Sequence, residues 1–470
     1  MITRLEATRY RCFERLAIDL SEFQIIVGAN GAGKTTLLDI PVLLGELLRA
    51  DNIANVFLVK SSDKPARASS FKQLIFAQQG DDFSFAVEAR LPDDIRQRLV
   101  ESLCDEGSTP HRWPTHIRYE LGLALVNERE LGIRGEYLFV LTESAALDQT
   151  KKNSDHCFNR DWHYDKGWYL ILNRDSTELS TFVPEVALSE NRASNRRYRK
   201  LFQNGVVSRR PVIFPITSNI ESVIVRPNLL SMSRVKYQPE AFPAANWLYE
   251  LLTEQTVFLN PDWSKLRSAS PPGQEKTIIP SALNLPWLAL DLKKQGMPAD
   301  ASETEKAAYR NIDYADWVAH VKTALPQVED IDVREREDDH HAYFELSYRG
   351  GFKVPSSGLS DGTLRILTLT LLPYLSKQPS ILVTEEPENG LHPYAIAAVL
   401  QSLSSMYDSQ VWVSSHSPVV LASSKLDQLL CARMTGEGAV EIVSGKNHPH
   451  LKEWRGGIDL GSLFAAGVLG

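Results

Sequence analysis

Residues Phe23–Thr36 constrain the fold of this chain more than any other stretch. Phe23-Gln-Ile-Ile-Val27 is a short apolar run that reads as a buried strand, and it stops at a glycine. Gly28-Ala29-Asn30-Gly31-Ala32-Gly33-Lys34-Thr35-Thr36 follows, after which Leu37, Leu38, Ile40, Leu43, Leu44, Leu47 and Leu48 recur at helical spacing. Gly28, Gly33, Lys34 and Thr35 satisfy G-x-x-x-x-G-K-[ST], in the strand–loop–helix setting that a phosphate-binding loop requires. The glycines let backbone N–H groups converge on phosphate oxygens. Lys34 brings a point charge to the β and γ phosphates, and the Thr35 hydroxyl is placed to ligate Mg²⁺.

Ahead of this loop, Ile2, Leu5, Ala7 and then Leu16, Ile18, Leu20 alternate as two strands. Between about 70 and 185 short strands dominate: Phe83–Ala89, Ile117–Leu125, Tyr137–Leu141 and Trp168–Leu172. Gly80–Asp82 and Asn173–Asp175 read as turns. Residues 190–325 are more helical, with Ser268–Gly273 as the clearest linker. Ser302–Leu325 has helical spacing, opened by a capping-box pattern of Ser302 with Glu305 and ended by Pro326. After 350 the strand–loop–helix rhythm returns through Ile381–Glu386 and Gln410–Ser415. The two ends therefore read as one nucleotide-binding core split by a long insertion. The expected divisions are 1–185, 186–345 and 346–470.

Three further groups bear on phosphate chemistry. The apolar strand Ile381-Leu-Val-Thr ends in Glu385 and Glu386, which would set one acid against Mg²⁺ and the next beside the water that attacks a γ-phosphate. Ser357-Gly-Leu-Ser-Asp-Gly-Thr-Leu-Arg365 precedes an apolar helix, so Ser360, Asp361 and Gly362 would present a helix start to an anion, or serve as an ordinary N-cap. Finally Val411-Trp-Val runs into Ser414-Ser415-His416-Ser417-Pro418, where a histidine at a strand tip can hydrogen-bond a γ-phosphate.

Taken in this order, the four groups resemble the ATP-binding-cassette (ABC) type of P-loop ATPase, and within it the RecF, SMC and OLD-nuclease branch. The match rests on Gly28–Thr36 (Walker A), Leu359–Gly362 (a Leu-Ser-Asp-Gly signature loop), Glu385–Glu386 (Walker B), Glu388-Asn-Gly-Leu-His-Pro393 (the D-loop region) and His416 (the switch histidine). Tyr10-Arg-Cys-Phe13 before the Walker A strand is also typical of that branch. The resemblance implies an α/β fold, an ABC-type P-loop core with a mixed sheet, split by a large α+β insertion. It also implies ATP and Mg²⁺ as cofactors. Gly28 to Thr36 and Ser360 to Gly362 would bind nucleotide, Thr35 and Glu385 would hold the metal, and Lys34, Glu386 and His416 would serve catalysis. Gln78 or Gln79 is the Q-loop candidate. In such proteins the signature loop of one copy closes on ATP held by the other, which implies a homodimer with two ATP sites.

The remaining features narrow the role. The net charge of −8 disfavours DNA binding over the whole surface, yet Arg192-Ala-Ser-Asn-Arg-Arg-Tyr-Arg-Lys200, with Arg209 and Arg210, could track a nucleic-acid backbone or meet an acidic partner. His156, Cys157 and His163 lack the second ligand pair of a zinc site, and Asp338–His341 reads as a hairpin tip. The four cysteines, Cys12, Cys104, Cys157 and Cys431, are too scattered for a disulfide framework. No apolar run is long enough to cross a membrane, and the charged start is not that of a signal peptide, so a cytoplasmic protein is expected.

Two classes of function fit: an ATPase switch of an anti-phage system, similar to the ATPase subunits of Septu or PARIS, and a scaffold in which ATP only holds an assembly together. A DNA-repair ATPase of the RecF or SMC kind is the alternative role. OLD-type nucleases follow their cassette with a toprim domain, but here 470 − 416 = 54 residues follow His416, too few for such a core. A separate effector, a nuclease or toprim-like protein, is therefore expected. The last residues, with apolar positions 460, 463, 464 and 468 behind Asp459, read as a short amphipathic helix that docks on its own core or meets that effector.

Overall fold

A computed structural model describes residues 1–60, 65–103, 113–126, 129–147, 167–175, 179–183, 185, 221–226, 228–298, 309–436, 438–451 and 459–467. The chain forms two compact units, the first of Met1–Ser21, Asp39–Glu254 and Met434–Ile442, the second of Glu22–Leu38, Gln255–Arg433 and Val443–Gly470. Joints near 185 and 345 were expected. Residues from 255 onward instead join the core, because a strand there completes the edge of its sheet.

The strands that matter, in chain order, are β1 (Ile2–Tyr10), β2 (Phe13–Asp19), β3 (Phe23–Gly28), β4 (Asp82–Arg90), β5 (Pro114–Val126), β6 (Glu130–Thr142), β7 (Trp168–Arg174), β8 (Leu179–Phe182), β9 (Glu221–Ile224), β10 (Thr256–Leu259), β11 (Val328–Glu335), β12 (Ala342–Tyr348), β13 (Lys353–Pro355), β14 (Ile381–Glu385), β15 (Gln410–Ser415) and β16 (Leu429–Met434). In the first unit, β2-β1-β4-β5-β6-β7-β8-β9 form an antiparallel sheet. Strand β7 runs through Asn173 and Arg174, where a turn was expected. The buried Arg174 guanidinium donates to the Leu229 and Arg226 carbonyls, which keeps that segment extended.

This sheet buries an ionic cluster. Arg118 donates to Glu88 and Glu6 at 2.8 Å and to Glu120 at 2.6 Å, and Arg4 bonds Glu6 and Asp19. Burial alone would lower the Arg118 pKa, but the carboxylates outweigh it and raise it. Glu6 shows the converse: burial raises its pKa, while Arg118 and Arg4 prevail and hold it below the usual carboxylate value. A carboxylate depressed in this way contributes stability above its ordinary pKa and loses it as pH falls through the folded value.

In the second unit the strands run β10-β14-β15-β3-β16, and each of these neighbouring pairs is parallel. Such strands are covered on both faces, which explains why β3, β14 and β15 read as unbroken apolar runs. A core including Ile25, Val27, Leu382, Val411, Val413 and Trp317 covers them. β11-β12-β13 make a small antiparallel sheet, with Asp338–His341 in the connection between the first two, as expected. The helix Ile312–Ala324 is capped by Asn311; Ser302 and Glu305 lie outside the described residues. The terminal helix Leu460–Ala465 forms behind Asp459, and its Leu460, Leu463 and Phe464 pack on the core. No helix among the described residues is long and apolar enough to cross a membrane.

Arg118→Ala would remove the guanidinium shared by Glu6, Glu88 and Glu120, all buried. It is expected to lower the unfolding free energy of the first unit by about 3–5 kcal/mol in urea denaturation, and to raise the pH at which acid unfolds it.

Candidate functional site

The five parallel strands deliver their carboxyl ends to one edge of the sheet, where ligands of α/β proteins bind. Register sets the meeting. Glu385 pairs with Ser414, Ser415 with Val27, Leu259 with Thr384, and Ala432 with Gly28. Gly28 has φ 151°, and a Cβ there would lie 2.2 Å from the Ala432 carbonyl oxygen, so only glycine lets the loop leave β3 at this point. Gly31 and Gly33 also take positive φ.

Lys34 opens the helix Lys34–Arg49 and folds back over the loop. Its Nζ donates to the carbonyl oxygens of Gly28 at 3.0 Å and Ala29 at 2.9 Å. Burial lowers its pKa, against the pull of Glu386 and Glu385. Thr35 Oγ1 donates to Glu385 Oε1, which brings hydroxyl and carboxylate into direct contact across two elements 350 residues apart in sequence. Two hard oxygens at one point suit Mg²⁺, and no cluster of three protein ligands occurs among the described residues. The donor set therefore fits a cation that arrives with nucleotide phosphates.

Glu386 follows in the left-handed region, φ 43°. Its N–H donates to Ser414 O, its Oε2 accepts from Asn389 Nδ2 at 3.1 Å, and its Oε1 lies 3.4 Å from His416 Nε2. Burial, then Lys34, lower the His416 pKa more than Glu386 raises it, which favours the neutral ring. Behind this pair sits Glu388. It accepts from the Ser415 hydroxyl and the His416 N–H, and burial raises its pKa.

Ser360 caps the helix Asp361–Leu371, its hydroxyl accepting from Thr363 N–H. Asp361 pairs with Arg267 at 2.6 Å, and Gly362 packs so closely on the Gly390 carbonyl that a Cβ would sit 3.0 Å from it. Among the described residues no hydrogen bond or ion pair joins Ser360–Gly362 to Gly28–Thr36. The structure thus gathers Gly28–Thr36, Glu385, Glu386 and His416, and ties Ser360–Gly362 to Thr363, Arg267 and Gly390 instead.

A cavity of about 280 Å³ beside Thr35, Glu385 and Glu386 is lined further by Asn260, Trp263, Arg365 and Asn389. Arg365 lies with Cζ 4.5 Å over the Trp263 ring and Nη1 3.5 Å from Glu386 O. Sequence reasoning assigned Asn260, Trp263 and Arg365 no role, and named Asn389 only within the D-loop region. The side-chain amides at this cavity are those of Asn260 and Asn389, whereas Gln78 and Gln79 sit in the first unit, where the Gln79 carbonyl accepts from Arg9. The pairing of β10 with β14 is what brings Asn260 here, and no local motif announces it. The basic stretch Arg192–Lys200, Arg209 and Arg210, and the His156, Cys157 and His163 group, lie outside the described residues.

A glycine loop carrying Lys34 and Thr35, paired acids on the strand two places away, a capped helix start at Ser360 and a tip histidine give this unit the architecture of a P-loop nucleotide-binding core. Residues 298–422 match the family model described as "AAA domain, putative AbiEii toxin, Type IV TA system". No curated protein matches the chain. Among solved structures it is similar to an Smc head bound to the C-winged helix domain of ScpA (14% identity, 94% of this chain and 97% of that chain, TM-score 0.46). It is also similar to the SMC head domain from Thermotoga maritima (11%, 94% and 98%, TM-score 0.39). The fold assignment rests on strand order and the phosphate loop, not on these likenesses.

Lys34→Ala removes the one ammonium held over the loop. It is expected to abolish binding of a fluorescent ATP analogue in titration; retained micromolar affinity would refute the assignment of Gly28–Thr36.

Proposed function

We propose that the chain binds and hydrolyses ATP, dimerises around it, and acts as the sensor or switch subunit of an anti-phage defence complex that controls a separate effector. One observation carries this reading above the others: Thr35, Glu385, Glu386 and His416 assemble at one sheet edge, while among the described residues Ser360–Gly362 make no hydrogen bond or ion pair to the phosphate loop. A site built this way is half of a two-copy site, in which the Ser360 helix start of each copy closes on the nucleotide bound by the other. ATP is then an interfacial ligand, and its hydrolysis releases the pair.

The roles follow from the geometry. Gly28–Thr36 and Lys34 hold the phosphates. Mg²⁺, when bound with ATP, neutralises phosphate charge, and Thr35 with Glu385 would hold it. Glu386 accepts a proton from the water that attacks the γ-phosphorus, giving ADP and phosphate. Asn389 holds that carboxylate through its side-chain amide, and His416, beside it, would donate its ring N–H to a phosphate oxygen. Asn260 supplies an amide to the same cavity. The description of the matched family as a toxin of a toxin–antitoxin system favours conflict biology over repair. DNA contact through Arg192–Lys200 is part of the same proposal.

Glu386→Gln is expected to bind ATP normally while phosphate release slows by about 10²–10³-fold, leaving a long-lived ATP-bound dimer in size-exclusion chromatography. Turnover at the wild-type rate would take Glu386 out of that role. The purified protein alone is expected to leave plasmid and linear DNA intact with Mg²⁺ or Mn²⁺. Cleavage lost on mutating acids other than Glu385 and Glu386 would overturn the separate effector.

A further inference from the structure

The hairpin that leads into the signature loop ends in a rigid aromatic platform. Tyr348 closes β12, and Phe352 stands just before β13, on the far side of the turn through Arg349, Gly350 and Gly351. Both glycines take positive φ, 99° and 80°, a tight reversal that brings the two rings together. The rings stack at 5.2 Å with planes 3° apart. Phe352 nevertheless remains 56% exposed, among the most exposed large apolar side chains described.

The platform is tied to the signature helix. The Tyr348 side chain hydrogen-bonds that of Thr363, and Thr363 in turn shares a 3.0 Å hydrogen bond with the Ser360 hydroxyl. The backbone makes the same link, since β13 passes through Ser356–Gly358 directly into Leu359 and Ser360. Gly350–Phe352, Ser357, Gly358, Ser360 and Asp361 are all exposed, so the ring and the helix start belong to one open strip. A stacked pair anchored at its inner member presents its outer face without further ordering, which is how proteins hold a nucleobase through its π-face.

We propose that Phe352 stacks on the base of the nucleotide held by a second copy of this chain, while Ser360 of the same copy meets its γ-phosphate. This rests on the two-copy reading above and deepens it, because the platform shares one exposed strip with Ser360, the residue that reading sets against the other copy's nucleotide. One copy supplies Lys34, the other supplies Ser360 and Phe352.

Mixing variants tests this. Phe352→Ala, at an exposed position, is expected to fold normally and bind ATP as a monomer like the wild type, yet to lose roughly tenfold in ATP hydrolysis at low protein concentration. Lys34→Ala is inactive, but an equimolar mixture of the two contains heterodimers with one intact composite site. Activity is therefore expected to recover to about half the wild-type level per heterodimer. Lys34→Ala mixed with Ser360→Arg serves as the parallel check on the two-copy reading. If that mixture recovers and the Phe352→Ala mixture does not, Phe352 acts within its own chain and the platform proposal fails alone. If neither recovers, the composite site itself fails. Wild-type hydrolysis by Phe352→Ala would also overturn the proposal. So would an equal loss of dimerisation when ribose 5′-triphosphate replaces ATP, since the ring would then grip protein rather than base.

Discussion

The parallel pairing of Phe23–Gly28 with Gln410–Ser415, and of that strand with Ile381–Glu385, is the constraint on which the site depends. It brings a loop near the start of the chain against acids some 350 residues later, and the Thr35–Glu385 contact exists only because that register holds. A slip of one residue would turn every side chain to the opposite face and part the hydroxyl from the carboxylate. Long-range parallel pairing is entropically demanding to form. The unbroken apolar runs of the three strands, buried on both faces, are what offset that cost.

The parts of the site legible in the sequence are those whose chemistry is local. Gly28–Thr36 announces itself because one turn must place several glycines, a lysine and a hydroxyl within a few residues. Glu385–Glu386 and His416 are weaker alone and become readable by their order along the chain. Trp263 and Arg365 were not legible, because their meeting depends on packing between a short helix, Trp263–Leu266, and the signature helix. Asn260 was missed for the same reason. Its place is set by a four-residue strand at the sheet edge, too short to stand out from its surroundings. The strands of the first unit were legible by alternation. Arg174 was misread as a turn residue because its burial depends on carbonyl oxygens more than fifty residues away.

The two units match their buried charge to different extents. In the first, Arg118 is surrounded by carboxylates that it bonds one by one, although one terminal nitrogen of Arg4 in the same cluster is buried without a hydrogen-bond partner. In the second, the charges are only partly matched. Lys34 rests on carbonyl oxygens rather than a carboxylate, the Arg365 Nε is buried without a partner, and so is one oxygen of Glu388. Unmatched polar groups cost stability, and they persist where a ligand or a second surface completes them.

Glu386 shows how such incompleteness is held in place. A non-glycine residue at φ 43° is strained by about 1–3 kcal/mol, and it keeps that conformation only if its surroundings insist on it. Three contacts do so: its N–H on Ser414 O, its carbonyl near Arg365, and its carboxylate between Asn389 and His416. Each comes from a different segment, namely the switch strand, the signature helix and the D-loop region. The backbone of the proposed base is therefore a joint at which all three meet. A shift of the signature helix on docking would reach Glu386 through Arg365, and a shift of the D-loop region would reach it through Asn389. On the proposed two-copy reading, Glu386 is thus linked to both elements that a second copy would touch, and that link would let assembly control hydrolysis.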